Sequence, residues 1–374
     1  MTLLGNKYTD DITTLIESAL NKAIKERGHV NILIAGRTGA GKSTLINSVF
    51  QEDIATTGQG RPVTLNTREI KKEGIPLSVF DSRGLEMADY SQTLNDLKSL
   101  ITERSRKSDA DQHIHVAWVC ITEDSRRVEP ADEELVEMLV NQNIPVIAVI
   151  TKARADQGFR AEVLRIIPLV SNAIRVRAIQ EVLDEGTVLS PMGLKDLVDI
   201  TKQVIPEGLQ KAFAAAQKID LNLKRTQARL VIAGASITAA ATAAIPIPLA
   251  DVASIVPIHI TMLAAISATY GLPTDKILLN NILVSITAST GGTLAKRYLV
   301  AALLKLIPVA GSVTGGIISA VSLGTLTTVL GEAYIRALSL LFIKNKGNVP
   351  TSSQVAEAFE QEYLKLANAQ PEGT

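Results

Sequence analysis

Eight consecutive residues, Gly36-Arg37-Thr38-Gly39-Ala40-Gly41-Lys42-Ser43, fit the pattern G-x-x-x-x-G-K-[ST] at every fixed position. Residue types at this spacing suit a loop that cradles phosphates. The glycines let the backbone turn tightly enough for successive N–H groups to face phosphate oxygens, and the helix that follows, starting near Thr44, adds its positive end. Lys42 would then reach the outer phosphates and the Ser43 hydroxyl would ligate Mg2+. A second constellation, Asp81-Ser82-Arg83-Gly84, follows an apolar run. There Asp81 would hold Mg2+ through water and the Gly84 N–H would contact the terminal phosphate. The pair of motifs carries far more weight than either alone.

The elements that must position these groups follow from hydropathy. Residues 30–35 form a short apolar run suited to a buried parallel strand, and Leu45, Ile46 and Val49 fall on one face of a helix over 44–50. Residues 51–67, rich in Gly and Thr, are expected to be a mobile loop. Further strands are expected at 68–72, 76–80, 113–122, 146–150 and 175–179, with a charged segment at 123–137 that turns helical. This alternation predicts an α/β domain with a mostly parallel sheet, helices on both faces and the ligand at the carboxyl ends of the strands. His113 and His115 alternate onto one face, but with no carboxylate or thiol at ligand spacing they are expected to be structural rather than metal-binding.

Composition bounds the rest. At 374 residues the chain is long enough for two cores, and a formal net charge of +0 with 20% charged residues gives no field that would favour nucleic acid as a partner. The single cysteine, Cys120, lies in an apolar run and is expected to be a core residue of a reducing compartment. No secretory signal pattern stands at the amino end. The predicted organisation is an amphipathic helix within residues 1–28, a nucleotide domain over 29–206 and an apolar all-α domain with a polar terminal helix over 207–374. For the amino-terminal helix, with Ile12, Leu15, Ile16, Ala19, Leu20, Ala23 and Ile24 at helical spacing, packing within the chain is favoured over a membrane face.

Residues 28–206 resemble a translation-factor-class GTPase domain of the Era, septin and immunity-related kind. The resemblance rests on the two motifs above, on Gly60-Arg61-Pro62-Val63-Thr64 as a first switch and on Thr151-Lys152. It implies GTP and GDP as ligands, Mg2+ as cofactor, and hydrolysis of GTP as the activity. It makes Thr64 the switch threonine that contacts Mg2+ and the terminal phosphate, with Thr67 in reserve. The residue after Asp-x-x-Gly is Leu85, where Ras-like enzymes carry a water-orienting Gln, so slow intrinsic hydrolysis is expected unless a partner or a second copy completes the site. The base-reading motif departs from the family: Thr151 and Lys152 are in place, but the aspartate position holds Arg154, which has no acceptor. Asp156 is the candidate to replace it, and Ala178 is the one match to the fifth motif. An ATPase, or a nucleotide-binding scaffold without turnover, stays open. Gly39 stands where potassium-activated relatives have Asn, so no monovalent-cation dependence is expected.

The second half is different in kind. Charge-free windows run over 230–250, 252–274, 277–295 and 306–331, each near the length that spans a hydrocarbon core. They are rich in small residues, carry Pro246, Pro248, Pro257 and Pro308, and lie in a chain with only 3% aromatics. The region resembles the YcjF-like helical domain of bacterial membrane-associated GTPases, on Ile245-Pro246-Ile247-Pro248-Leu249-Ala250-Asp251 with Met262 and Tyr270-Gly271. That resemblance implies membrane lipid as a partner and a nucleotide-dependent homodimer or oligomer. The expectation is a cytoplasmic nucleotide domain with a membrane-associated carboxyl half; a soluble bundle with apolar core helices is the alternative. The prolines are expected to break helices into hairpins, and Gly311, Gly315, Gly316 and Gly324 to allow close helix approach.

Overall fold

The structure, a computed structural model, describes residues 2–50, 54–57, 59–62, 64, 67–72, 74–82, 90–184, 186–243, 250–273, 277–280, 282 and 320–369. It divides into two compact units: Gly28–Asp220, and Met1–Arg27 together with Leu221–Thr374.

In the first unit, β1 (Val30–Gly36), β4 (Leu77–Ser82), β5 (Val116–Thr122), β6 (Val146–Thr151) and β7 (Asn172–Arg175) run parallel, while β2 (Gln59–Pro62) and β3 (Thr67–Lys71) add an antiparallel edge. The sheet order is β2-β3-β4-β1-β5-β6-β7. All seven residues of β1 and all six of β6 are buried, as strands covered on both faces must be. One face packs Leu33, Phe80, Val119 and Ala148 against α4 (Tyr90–Ser105), α5 (Pro130–Asn141) and α6 (Phe159–Ile166). On the other face Phe50 stacks on Trp118 at 5.7 Å and meets the edge of Phe213 at 6.3 Å. Trp118 donates its indole N–H to Thr201 Oγ1 at 3.1 Å, inside α7 (Leu194–Val204).

Three details differ from the sequence reading. The stretch at 51–67 contains structure: a one-turn α3 (Ile54–Thr57) and β2. The strand expected at 175–179 pairs earlier, as β7, because Val176 makes its last sheet bond to Ile150 O and Arg177 turns to bridge Met192. The start of the all-α region, over 207–229, is not one continuous helix. Its first part, α8 (Gln210–Ala216), buries Ala212, Phe213 and three further alanines in the first unit, and α9 (Leu221–Ala243) then starts the second. Gln217 makes the break: fully buried, it accepts from the N–H groups of Ile219 and Asp220 and donates to Ala214 O and Asp220 O, so its amide replaces helical backbone bonds. The first compact unit therefore extends to Asp220.

The amino-terminal helix packs within the chain, as favoured. As α1 (Thr2–Arg27) it belongs with the carboxyl half, its Ile16, Ala19, Leu20 and Ala23 sharing one buried cluster with Ile260 and Leu263 of α10 (Ala250–Tyr270). The same cluster holds Tyr334 and Leu338 of α11 (Ala320–Lys344) and Val355 and Phe359 of α12 (Ser352–Ala369). Pro257 sits inside α10 without ending it; the neighbouring buried Ile255, Val256 and Ile260 favour continuing the helix over the backbone bond that proline forfeits. Pro246, Pro248, Pro308, Gly311, Gly315 and Gly316 lie outside the described residues. Gly324 does mark a close approach, a Cβ there falling 3.3 Å from Ser236 O of α9. Gly331, one heptad on, is tighter, its added Cβ lying 2.5 Å from Ile232 Cγ1.

Residues Leu323–Lys344 of α11 are long and apolar enough to cross a membrane, with mean hydropathy 1.5, yet 61% of that stretch is buried among the neighbouring helices. Polar atoms bridge it to them: Thr327 with His259, Tyr334 with Ser267, and Ser339 with Tyr270 and Arg225. α12 opens on a reciprocal cap, Thr351 N–H donating to Gln354 Oε1 at 2.9 Å and Gln354 N–H to Thr351 Oγ1 at 3.4 Å.

Candidate functional site

The phosphate-loop residues stand where β1 ends. Gly36 there has φ +146, and a Cβ would meet Cys120 O of β5 at 2.5 Å, so no side chain fits. The loop turns through Gly39 and Gly41, both with positive φ, and α2 (Lys42–Val49) begins immediately with no side chain capping its amino end. The first N–H groups of α2 are thus left to a ligand, and the helix dipole favours an anionic one. Lys42 lies back across the loop, donating from Nζ to Gly36 O at 2.8 Å and Arg37 O at 3.2 Å. Arg37, Thr38, Gly39, Ser43 and Thr44 are exposed, and Ala40 is buried. The Arg37 guanidinium pairs with Glu129 at 3.3 Å, ahead of α5.

Thr151 supports this loop from below. Its Oγ1 donates to Ala40 O at 2.8 Å, tying the end of β6 to the phosphate loop, a role its place in the motif did not reveal. Asp81 lies near the carboxyl end of β4, half-buried and in register with Ile34 of β1 and Arg68 of β3. Thr64 donates its N–H to Thr67 O at 3.2 Å. Thr67 is buried in β3 opposite Ser82, which takes it out of its reserve role as a switch threonine. Gly84 and Leu85 lie outside the described residues. The Ser43 hydroxyl and Asp81 carboxylate are hard oxygen donors, and no group of three or more His, Cys, Asp or Glu able to hold a metal exists among the described residues. Such a donor set fits Mg2+, which keeps phosphate and water oxygens as most of its ligands.

Beside the loop is a cavity of about 260 Å³, bounded by Gly41, Thr44 and Leu45, by Thr151, Lys152 and Arg154, and by Val176 to Glu181. Thr151, Lys152 and Ala178 line it. Asp156 does not. Its Oδ1 accepts from Arg160 N–H at 2.9 Å at the start of α6 and faces Arg175 at 3.7 Å. The cause is Glu123, buried at the end of β5, which accepts from the N–H groups of Arg154 and Ala155 and from Arg175 Nε at 2.6 Å. That clamp pulls the 154–156 backbone away from any bulge that would carry Asp156 inward. Burial alone would raise the Glu123 carboxyl, but the Arg175 hydrogen bond and the backbone donors outweigh it and hold it below its ordinary value.

Arg154, at the usual aspartate position, is paired at both ends of its fork with Glu181, Nε donating to Oε2 at 3.0 Å and a terminal nitrogen to Oε1. This pair raises the Arg154 pKa and holds the Glu181 carboxyl below the usual range. Glu181 was missed in the sequence. The available hint was Arg154 itself, since a cation replacing a carboxylate calls for one nearby.

The two histidines have structural partners. His115 Nδ1 accepts from Asn31 N–H at 2.9 Å, so its proton is on Nε2, donated to Ala110 O at 2.9 Å. Burial keeps its pKa below the ordinary histidine value. His113 Nε2 contacts Lys107 O at 2.9 Å.

This geometry agrees with what comparison finds. Residues 31–152 match a family model described as a 50S ribosome-binding GTPase, and residues 209–363 match one described as a domain of unknown function. Residues 31–152 belong to the P-loop GTPases. The chain is 26% identical over 195 residues to Septin-1 of Drosophila melanogaster, covering 46% of this chain and 51% of that protein. It is 29% identical over 123 residues to the tRNA modification GTPase MnmE of Treponema denticola, covering 32% of this chain and 25% of that protein. Among solved structures it resembles a probable GTP-binding protein engB, at 19% identity and a TM-score of 0.34, over 48% of this chain and 100% of that one. The chain thus spans about half the length of the first of those two relatives and a quarter of the second.

Proposed function

We propose that this chain binds GTP at the phosphate loop with Mg2+, hydrolyses it to GDP and phosphate, and uses the cycle as a switch. One observation carries the reading most: an uncapped α2 amino end, a lysine parked on its own loop carbonyls, and an adjoining cavity that meets the loop at Gly41. The N–H groups of the loop and of α2 bind the phosphate oxygens, and Lys42 exchanges its two carbonyl partners for them. Thr151 keeps the loop in place through Ala40. Thr64 and Gly84 sense the terminal phosphate, and losing that contact releases the segments that carry them. Ser43 and Asp81 would hold Mg2+, which would supply charge neutralisation for the departing phosphoryl group. With Leu85 after Asp-x-x-Gly, a second copy or a partner completes the site for rapid hydrolysis.

The proposed output is the helical unit, which meets a membrane surface or another copy of the chain in a nucleotide-dependent way. Its support is the apolar windows of the second half and the length of Leu323–Lys344. Arg154 motivates the rival reading as an ATPase. The test is phosphate release by the full chain, with Lys42→Ala as blank, and GTP and ATP in competition. GTP turnover that vanishes in the variant and rises with protein concentration supports the proposal; calorimetry that finds no uptake of any purine triphosphate by folded protein overturns it. Flotation with liposomes in GTP and in GDP tests the membrane output, and equal recovery in both nucleotides refutes it.

A further inference from the structure

We infer that a cleft between α9 and α11, in the helical unit, is a binding site for a phosphate monoester gripped by Arg225 and Arg336. Its volume is about 530 Å³, which falls in the range of small-molecule sites, about 300–1,000 Å³. Asn222, Arg225 and Arg229 line it from α9, Glu332 and Arg336 from α11, and Glu362 from α12.

The charges that line this cleft do not balance. Both of its carboxylates are already held. Glu332 takes the fork of Arg229, accepting from Nε at 2.9 Å and from a terminal nitrogen at 3.4 Å, and Glu362 accepts from Lys365 Nζ at 2.6 Å. Arg225 has only neutral partners among the described residues, its Nε donating to Ser339 Oγ at 2.9 Å and a terminal nitrogen to Asn222 Oδ1 at 3.2 Å. Arg336 is exposed and has no hydrogen bond or ion pair among the described residues. Two positive charges therefore line the cleft with no carboxylate against them. A phosphate monoester carries about −1.5 to −2 near pH 7, which is the complement they lack.

Arg225 is held in place without being neutralised. Its anchor Ser339 is buried and is fixed in turn by the Tyr270 hydroxyl at 3.0 Å, so the half-buried guanidinium is tied to the core through a hydroxyl. Two of its five N–H donors are used, and the rest are left for phosphate oxygens. The cations that line the cleft are all arginines, whose planar fork gives phosphate two parallel bonds that an ammonium cannot. Leu340 lines the same cleft and is 53% exposed, and Ile343, one turn on, is 62% exposed. The group esterified to the phosphate thus meets an apolar rim. Phosphatidic acid in a bilayer and a small soluble ester share this chemistry.

The experiment uses the full chain in GDP and Mg2+, which keep the phosphate loop filled. Glycerol 3-phosphate is titrated by calorimetry, and flotation is measured with phosphatidylcholine vesicles with and without phosphatidic acid; far-ultraviolet ellipticity checks the fold of each variant. Wild-type protein should bind at least one probe, and which one it binds tells a soluble ester from a lipid headgroup. Arg225→Lys combined with Arg336→Lys keeps the charge and removes both forks, and should weaken that probe roughly 10-fold. Arg225→Gln combined with Arg336→Gln should weaken it roughly 100-fold. Arg336→Gln alone breaks no contact within the fold and should still cost roughly 10-fold. No binding of either probe overturns the inference. So does a double lysine variant within twofold of wild type, or an equal loss in Lys344→Gln, an exposed cation of α11 that does not line the cleft. GTP turnover on the same preparations separates this inference from the proposed function. Arginine-dependent binding without turnover sinks that function and leaves the site standing, and turnover without binding does the reverse.

Discussion

Replacing Glu123 by glutamine should loosen the GTPase unit and its base cavity together. The carboxylate, 2% exposed, holds the N–H groups of Arg154 and Ala155 and the Arg175 guanidinium, so three donors from two segments converge on it. Hydrogen bonds to a charged partner contribute about 1.5–3 kcal/mol each, and breaking a buried pair costs about 3–5 kcal/mol. Glutamine is the same size and keeps one acceptor oxygen, and Arg175 retains some access to water, which together bring the expected loss to about 2–3 kcal/mol. For a unit of this size that lowers Tm by about 5–10 °C. Trp118 is the sole tryptophan and lies in the Gly28–Asp220 unit, so its fluorescence in urea follows this unit alone. The pH dependence gives an independent check. Because the folded carboxyl titrates below its ordinary 4.5, the unfolded chain takes up a proton first as pH falls. The stability contributed by Glu123 is whole above that value and is lost as pH drops through the folded pKa, a component the glutamine variant lacks. A variant with an unchanged urea midpoint and wild-type acid sensitivity would refute the clamp.

Three further outcomes are expected. Gly36→Ala places a methyl 2.5 Å from Cys120 O at a φ of +146, and should cost about 2–4 kcal/mol by Trp118 fluorescence and abolish nucleotide uptake by calorimetry. Gly331→Ala overpacks against Ile232 and should destabilise the helical unit by about 1–3 kcal/mol, seen as an earlier loss of far-ultraviolet ellipticity; restoring room with Ile232→Ala should recover part of it. Burial pushes the Cys120 thiol up to about 12, so in native protein at pH 8 it should resist a disulfide reagent that titrates it at once in denaturant.

How much of this was legible in the sequence depends on how local each signal was. The phosphate loop, the parallel strands that flank it and the end of β4 at Asp81 are contiguous patterns, and they occur where the apolar runs put them. Cys120 belongs to the same class. The first unit's boundary was not legible, because the Ala-rich stretch up to Ala216 has the composition of the second half but packs around Phe213 in the first. Nor was the partner of α1, whose apolar stripe would suit several surfaces.

The sequence by itself determined that phosphates are held here, since a tight glycine turn between a strand and a helix is a backbone property encoded by eight neighbouring residues. Only the tertiary structure decided which carboxylate pairs with Arg154. Asp156 is near Arg154 in sequence but is drawn off by α6 and Arg175, whereas Glu181 is remote and is brought to it by β7, the Arg177–Met192 bridge and the ribbon beyond. A carboxylate's direction is set by the strongest donors within reach in space, and residue order does not contain that list.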